Sequence, residues 1–300
     1  MTEIPRRTLD ELAFLYDQNR DCRDIITEGP FKAAIVRWFL QSLQVRSVAV
    51  YSIDAFEIPD GEILAAGRKA NNRERVMFLS EFLTSRSFEQ ATCVVDADFS
   101  HLTGSAASSG SLLMTDYSCL EMYFYRADVL SKFFIVCCLR PHWPVEEIMG
   151  AMAQVLVELF LLRFANEELR WEMDWVDRIV CMKATDWRII FDLSDYVKRL
   201  LNKNGRAAQK VIFLDKVKSL RSKLRDDPRY QMHGHDFSRL LAWLVREKGV
   251  SQEHCRAETI LKFLALAANY EELTKTSLFS NILRRVRSSN GDREAQKGRS

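Results

Sequence analysis

The first 116 residues carry four short apolar runs, at 23–27, 47–54, 92–96 and 111–116. Helix-length segments separate the first three, and a Ser/Gly-rich stretch over 101–110 precedes the last. Within each run the apolar residues are nearly continuous rather than alternating. That predicts strands buried on both faces, which requires a parallel sheet with helices on either side. The segment 31–43 sets Ala34, Ile35, Trp38, Phe39 and Leu43 on one apolar stripe, and a second helix is expected over 73–83. Thr8-Leu-Asp-Glu11 has the form of a capping box and predicts a helix over 9–19. Pro30 suits the first turn of the helix that follows the first run, where its missing N–H costs nothing.

From residue 127 the pattern changes to long apolar-periodic segments. Helices are expected over 131–139, 145–168, 194–202, 207–224, 236–247, 252–268 and 271–286, with one isolated strand at 187–191. Eleven glycines and six prolines in 300 residues are few for a β-sandwich and fit long helices with few turns. The expected class is therefore α/β: a parallel sheet flanked by helices over 1–130, a mainly α-helical region over 131–287, and a polar, disordered tail over 288–300. The most apolar stretch, 148–164, contains Gln154, Glu158 and Arg163, which reads as a buried helix rather than a membrane span. Seven cysteines, an odd number without a C-x-x-C, argue against a disulfide framework and a structural zinc site. The first residues show no secretory signal, so a cytoplasmic protein without membrane contact is expected.

What closes the apolar runs matters as much as the runs themselves. Glu28 follows the first, Asp54 ends the second, Asp96 and Asp98 follow the third, Asp116 ends the fourth, and Glu121 comes five residues later. In a doubly wound sheet, ligands bind beyond the carboxyl ends of the strands, near the point where strand order reverses. Asp96 and Asp98 are two apart, so on an extended segment their side chains point the same way. Carboxylates that close repel one another unless something cationic sits between them. Oxygen ligands in an acidic pocket favour Mg²⁺ or Mn²⁺. The bland readings are Glu28 as a helix-terminal charge and Asp96 and Asp98 as strand-end turns.

The net charge of +2 conceals an asymmetry: residues 1–130 hold 13 Lys/Arg against 19 Asp/Glu, and residues 131–300 hold 30 against 22. The most basic window, 198–229, has 11 positive and 3 negative side chains. Lys218, Arg221 and Arg225 are expected on one helical face there, as substrate-binding residues for a polyanion, with a solvated face as the competing reading. His235, in Gly234-His235-Asp236, is a further substrate-binding candidate. Gly234 would serve a turn there, and Asp236 would cap the next helix. No Walker A motif is present, so any ATP dependence would come from a partner.

Thr27-Glu28-Gly29 and Val94-Val-Asp96-Ala-Asp98-Phe99, each after a strand, resemble the signature of the TOPRIM domain of topoisomerases, primases and several nucleases. Thr115-Asp116-Tyr-Ser-Cys-Leu120-Glu121-Met-Tyr123 and Gly234-His235-Asp236-Phe237 extend the likeness. They resemble one TOPRIM family, which includes the nuclease effector of the PARIS anti-phage systems. The chain departs at Pro30-Phe31-Lys32, where that family carries a second acidic residue. The resemblance implies a metal-dependent nuclease. Glu28, Asp96, Asp98 and Glu121 would be catalytic, and Glu28, Asp96, Asp98 and Asp116 would hold Mg²⁺ or Mn²⁺. It further implies a homodimeric toxin that cleaves tRNA, arrests translation, and is held inactive by an ABC-type ATPase. The competing functions are a DNA nuclease working with an ATPase, as in overcoming-lysogenization-type systems, and a non-catalytic TOPRIM module.

Overall fold

The computed structural model describes residues 6–65, 67–104, 110–251 and 256–287. The expected tail over 288–300, part of the Ser/Gly-rich stretch and the start of the helix expected from 252 lie outside the described residues. The chain divides into two compact units. One comprises residues 1–97, 106–116 and 269–300, and the other residues 98–105 and 117–268. The sequence pattern predicts a boundary at 130, with everything to 287 in the second region. The structure instead returns the last helical segment to the sheet-bearing unit.

That unit is built on four parallel strands, β1 (Arg23–Thr27), β2 (Val48–Ser52), β3 (Ala91–Val95) and β4 (Leu112–Met114), in the order β2-β1-β3-β4. The chain steps from β1 outward to β2, then crosses back to the other side of β1 to lay down β3. Strand order therefore reverses between β1 and β3. The helices are α1 (Leu9–Gln18), α2 (Pro30–Ser42) and α3 (Asn72–Ser85). The capping box forms as expected, with Thr8 accepting from the Glu11 N–H and Glu11 reaching back to the Thr8 N–H. Val76, Leu79 and Leu83 of α3 share one apolar core with Leu12 and Tyr16 of α1 and with Ile26, Cys93 and Val95 of the sheet. Ile25 and Val94 alternate to the opposite face and are just as buried. Each such side chain contributes about 1.5–3 kcal/mol by leaving water.

Two pieces of this unit carry no signal in the apolar pattern. Arg7–Thr8 pairs in parallel with Phe56–Glu57, and a short helix, Asp60–Ala65, interrupts the expected polar stretch. The helix expected over 271–286 is broken into Tyr270–Thr274 and Ser277–Arg287. Phe279 of the second piece packs on Phe39 of α2 with ring centroids 4.6 Å apart, and Arg285 donates to the Gly110 carbonyl at the start of β4.

The second unit is mainly helical: α4 (Ala127–Val136), α5 (Val145–Glu168), α6 (Leu193–Lys203), α7 (Lys210–Arg221), α8 (Gly234–Glu247) and α9 (Ala257–Ala267). The isolated strand proves to be half of an antiparallel hairpin, β5 (Met182–Thr185) and β6 (Arg188–Phe191), turning through Asp186 at positive φ. Its first strand is short and half exposed, so no apolar run announced it. The 24-residue α5 is long and apolar enough to cross a membrane by length and composition. In this unit Ile148, Met152, Leu156, Phe160 and Phe164 of α5 are buried in the core, as the charges within the stretch led us to expect.

Candidate active site

Glu28 leaves the carboxyl end of β1 and Asp96 that of β3, on either side of the strand-order reversal. The two are joined. Glu28 Oε1 accepts the Asp96 backbone N–H at 2.6 Å. Glu28 Oε2 lies 2.7 Å from the Lys32 ammonium, and that same ammonium lies 2.5 Å from Asp96 Oδ2. All three side chains are largely sheltered, 16%, 12% and 12% exposed for Glu28, Lys32 and Asp96. The cation that two neighbouring carboxylates call for is thus a lysine of this chain. It stands in Pro30-Phe31-Lys32, the stretch where the sequence departs from the family it resembles.

The frame around the pair comes from α2 and from the start of α3. Gly29 is the N-cap of α2 without a side-chain cap bond, and Pro30 takes the first position as expected. Glu28 does not cap the helix. A Cβ on Gly29 would meet nothing within 4 Å, so the backbone beside Glu28 has open space before it. Asn72, at the start of α3, donates to the Glu28 carbonyl at 2.9 Å, and Arg73 donates to the Asp96 carbonyl at 3.3 Å. Asp54 accepts from Ser52 Oγ at 2.7 Å and serves the turn after β2.

The other acidic candidates have different surroundings. The strand ends at Val95, and Asp98 has φ +46°, so the two-residue alternation that was to align it with Asp96 does not hold. A left-handed aspartate breaks the extended backbone on which the alignment depended, at a cost of about 1 kcal/mol or more. Asp98 donates its N–H to the Ser118 carbonyl at 2.7 Å and belongs to the helical unit. Asp116, proposed as a metal ligand, has both carboxylate oxygens on the backbone N–H groups of Ser277 and Leu278, at 3.1 and 3.0 Å. It caps the helix Ser277–Arg287, where an anion meets the positive end of the helix dipole.

Glu121 lies in a 3₁₀ turn, Leu120–Phe124, and is buried. Its carboxylate sits against the Cα of Gly234, where any Cβ would overlap it. The two sequence motifs of the helical unit therefore meet, and Gly234 is there for that close approach. Helix α8 begins at Gly234 with His233 as N-cap, not with Asp236 as N-cap. Asp236 is buried and takes two bonds from Arg163, at 2.7 and 3.0 Å, and one from Arg178. Burial works against its charge, but the two guanidinium groups outweigh it and hold its carboxyl below the usual range. His233 keeps its Nδ1 buried without a hydrogen-bond partner, and burial pushes its pKa down to about 4. His235, the substrate-binding candidate, is exposed, 5.5 Å from His233 between ring centroids.

The basic stripe is less uniform than its sequence. Helix α7 ends at Arg221, so Arg225 lies beyond it and does not share a helical face with Lys218 and Arg221. Arg221 makes a bidentate pair with Glu158 at 2.6 and 2.7 Å. Arg225 stacks over Tyr230 and donates to the His101 carbonyl. Lys218 is exposed.

A second positive surface lies outside the basic window 198–229. A cleft of about 440 Å³ in the helical unit is lined by Arg163, Arg178, Arg239 and Arg246 with Trp175, Trp243 and the acidic Asp177. Arg239, Trp243 and Arg246 recur at i, i+4 and i+7 on α8, a spacing that could have flagged it. Among the described residues no group of three or more His, Cys, Asp or Glu is gathered as a metal cluster. Compared with protein-family models and with curated proteins, the chain matches none of them.

Proposed function

We propose that this chain is a TOPRIM-type, metal-dependent phosphodiesterase that cleaves nucleic acid, with Glu28 and Asp96 at the centre of its active site. One observation carries the reading: two carboxylates from separate strands converge at the strand-order reversal and hold a cation between them. The donor set fits a hard divalent ion. It offers carboxylate oxygens, and the Lys32 ammonium stands in for a cation between them. Mg²⁺ or Mn²⁺ held by Glu28 and Asp96 would polarise the scissile phosphate and stabilise the leaving oxygen. Asn72 and Arg73, bonded to the Glu28 and Asp96 carbonyls, keep the two strand ends in register. Glu121, pinned against Gly234, supports the reading only through the motif it belongs to.

The likeness of the motifs extends the proposal to tRNA as substrate, a homodimer in the cytoplasm, and an ABC-type ATPase partner that restrains the nuclease. Capture of a polyanion would fall to the helical unit, through Lys218 and the arginines of the Trp175–Trp243 cleft.

A second reading has one observation in its favour. Retention of Glu28 and Asp96 speaks for catalysis only if the two charges repel, and Lys32 removes much of that repulsion. A non-catalytic module could keep such a neutralised pair for its fold. One assay decides between them: purified protein incubated with a total tRNA pool and with duplex DNA, with Mg²⁺ or EDTA. Metal-dependent ends in RNA support the nuclease reading and its substrate, and metal-dependent breaks in DNA alone support the DNA alternative. No cleavage of either by protein freed from its cellular partners favours the module.

A further inference from the structure

We propose that Lys32 is the resident cation of the Glu28–Asp96 pair and competes with the divalent ion for it, an inference that rests on the metal-site reading above. The position of the lysine points to this. It is the third residue of α2, in the first turn, where the helix dipole disfavours a positive charge, and that turn carries no acid to offset it. Helix preference therefore does not explain an ammonium there. The two carboxylates do: at 2.7 and 2.5 Å they both lie within charge-assisted hydrogen-bond range of one nitrogen. At 12–16% side-chain exposure the three groups are partly desolvated, so their mutual attraction is screened less than at an open surface.

The consequence is a site with two states. Lys32 offsets one of the two negative charges of Glu28 and Asp96. Were Glu28 and Asp96 to hold a divalent ion, the Lys32 ammonium would compete for their oxygens and would have to leave them. The four-carbon stem of lysine allows that departure without moving α2. Metal-free protein is then held together at the reversal point by its own lysine, and metal binding is weakened by the cost of displacing it.

The test measures Mn²⁺ binding to the full chain by electron paramagnetic resonance, alongside thermal unfolding in EDTA. Wild type is compared with Lys32→Met, Lys32→Gln, Lys32→Arg and the double variant Lys32→Met/Asp96→Asn. Removing the charge should tighten Mn²⁺ binding at least about tenfold, the scale set by a like charge this close in a sheltered site. The same change should lower the melting temperature in EDTA and enlarge the rise that Mn²⁺ produces. Lys32→Gln keeps a polar side chain should Lys32→Met fail to fold, and Lys32→Arg should keep the weak affinity of wild type. The double variant should lose the gain, which locates the ion at this pair. Equal Mn²⁺ affinity in wild type and both neutral variants, lost on Asp96→Asn, overturns the competition and leaves the metal reading intact. No Mn²⁺ binding by wild type or any neutral variant overturns both.

Discussion

The Glu121 carboxylate lies against the Cα of Gly234, 113 residues further along the chain, and leaves no room for a side chain there. The contact explains a glycine whose backbone is otherwise ordinary: it begins α8 and does not need positive φ. Gly234→Ala should destabilise the protein by about 1–3 kcal/mol, because the new methyl must push a buried carboxylate off its place. Glu121→Ala should cost less when Ala already stands at 234, since the clash is then gone. Urea unfolding of the four members of this cycle measures the coupling. Strict additivity would mean the two residues do not press on one another.

Asp236 and His233 give the helical unit a predictable acid sensitivity. The Asp236 carboxyl is held below its ordinary range by Arg163 and Arg178, so its stabilising contribution is complete above the unfolded carboxylate pKa and is lost as pH falls through the lower folded value. His233, at about 4 in the fold against an ordinary 6.5, is neutral when folded and charged when unfolded between those values. The unfolded chain binds the extra proton, so stability starts to fall below pH 6.5 and the loss reaches about 3 kcal/mol at most near pH 4. Both effects act in the same direction. Urea unfolding free energies at pH 7.5, 5.5 and 4.5 should decline, and His233→Gln should flatten the segment between 6.5 and 4.5. A decline unchanged in that variant would assign the sensitivity elsewhere.

Asp236→Ala leaves Arg178 buried beside a second guanidinium with no carboxylate between them. Breaking a buried pair from one side costs about 3–5 kcal/mol. The expected outcome is a cooperative but much weaker unfolding transition, readable by circular dichroism against urea. A loss below about 1 kcal/mol would show that the arginines find other partners.

The carboxylate pair makes a prediction that the sequence alone would have reversed. Two adjacent acids suggest that neutralising one relieves repulsion and stabilises metal-free protein. With Lys32 bridging them, Asp96→Asn instead removes an ion-pair partner and should lower stability in EDTA by about 1–2 kcal/mol while abolishing cleavage. Glu28→Ala should abolish cleavage as well, with nucleic-acid binding retained. Differential scanning calorimetry in EDTA and a cleavage assay in Mg²⁺ read the two effects separately. A rise in melting temperature for Asp96→Asn would mean that repulsion dominates the pair after all.

How far the sequence was legible follows from the range of the interactions. The capping box at Thr8, the proline at the start of α2 and the buried strands are all encoded within a few residues, and each formed where expected. So did the convergence of Glu28 and Asp96, because a parallel strand order constrains where their strands end. What stayed hidden depends on long-range partners. The Asp116 side chain binds residues 161 and 162 positions away, which turns a candidate metal ligand into a helix cap. Arg163 and Arg178 reach Asp236 across 73 and 58 positions, which turns a candidate N-cap into a buried anchor. The left-handed turn at Asp98 is a further case, since aspartate tolerates either backbone and its sequence does not say which.

The last prediction concerns capture of the substrate. Arg221 is committed to Glu158, so reversing its charge tests a salt bridge rather than a binding surface. Arg239 and Arg246 are a better target. Both are exposed, both line the cleft with Trp175 and Trp243, and neither has a carboxylate partner among the described residues. Behind them one Asp236 faces two arginines, and Asp177 also lines the cleft, so its four arginines outnumber the carboxylates beside them. A polyanion entering it would release counterions, and its affinity would fall with salt in proportion to the phosphates contacted. The double substitution Arg239→Glu and Arg246→Glu should therefore weaken binding of a labelled RNA about tenfold or more at low salt and reduce the slope of log affinity against log salt by about 2. Lys218→Glu should reduce it by at most about 1. Because both arginines are exposed, the fold should be unaffected, which an unchanged urea midpoint would establish. If the slope stayed at its wild-type value while the midpoint held, the cleft would not be the capture surface, and Lys218 with its neighbours on α7 would be tested next.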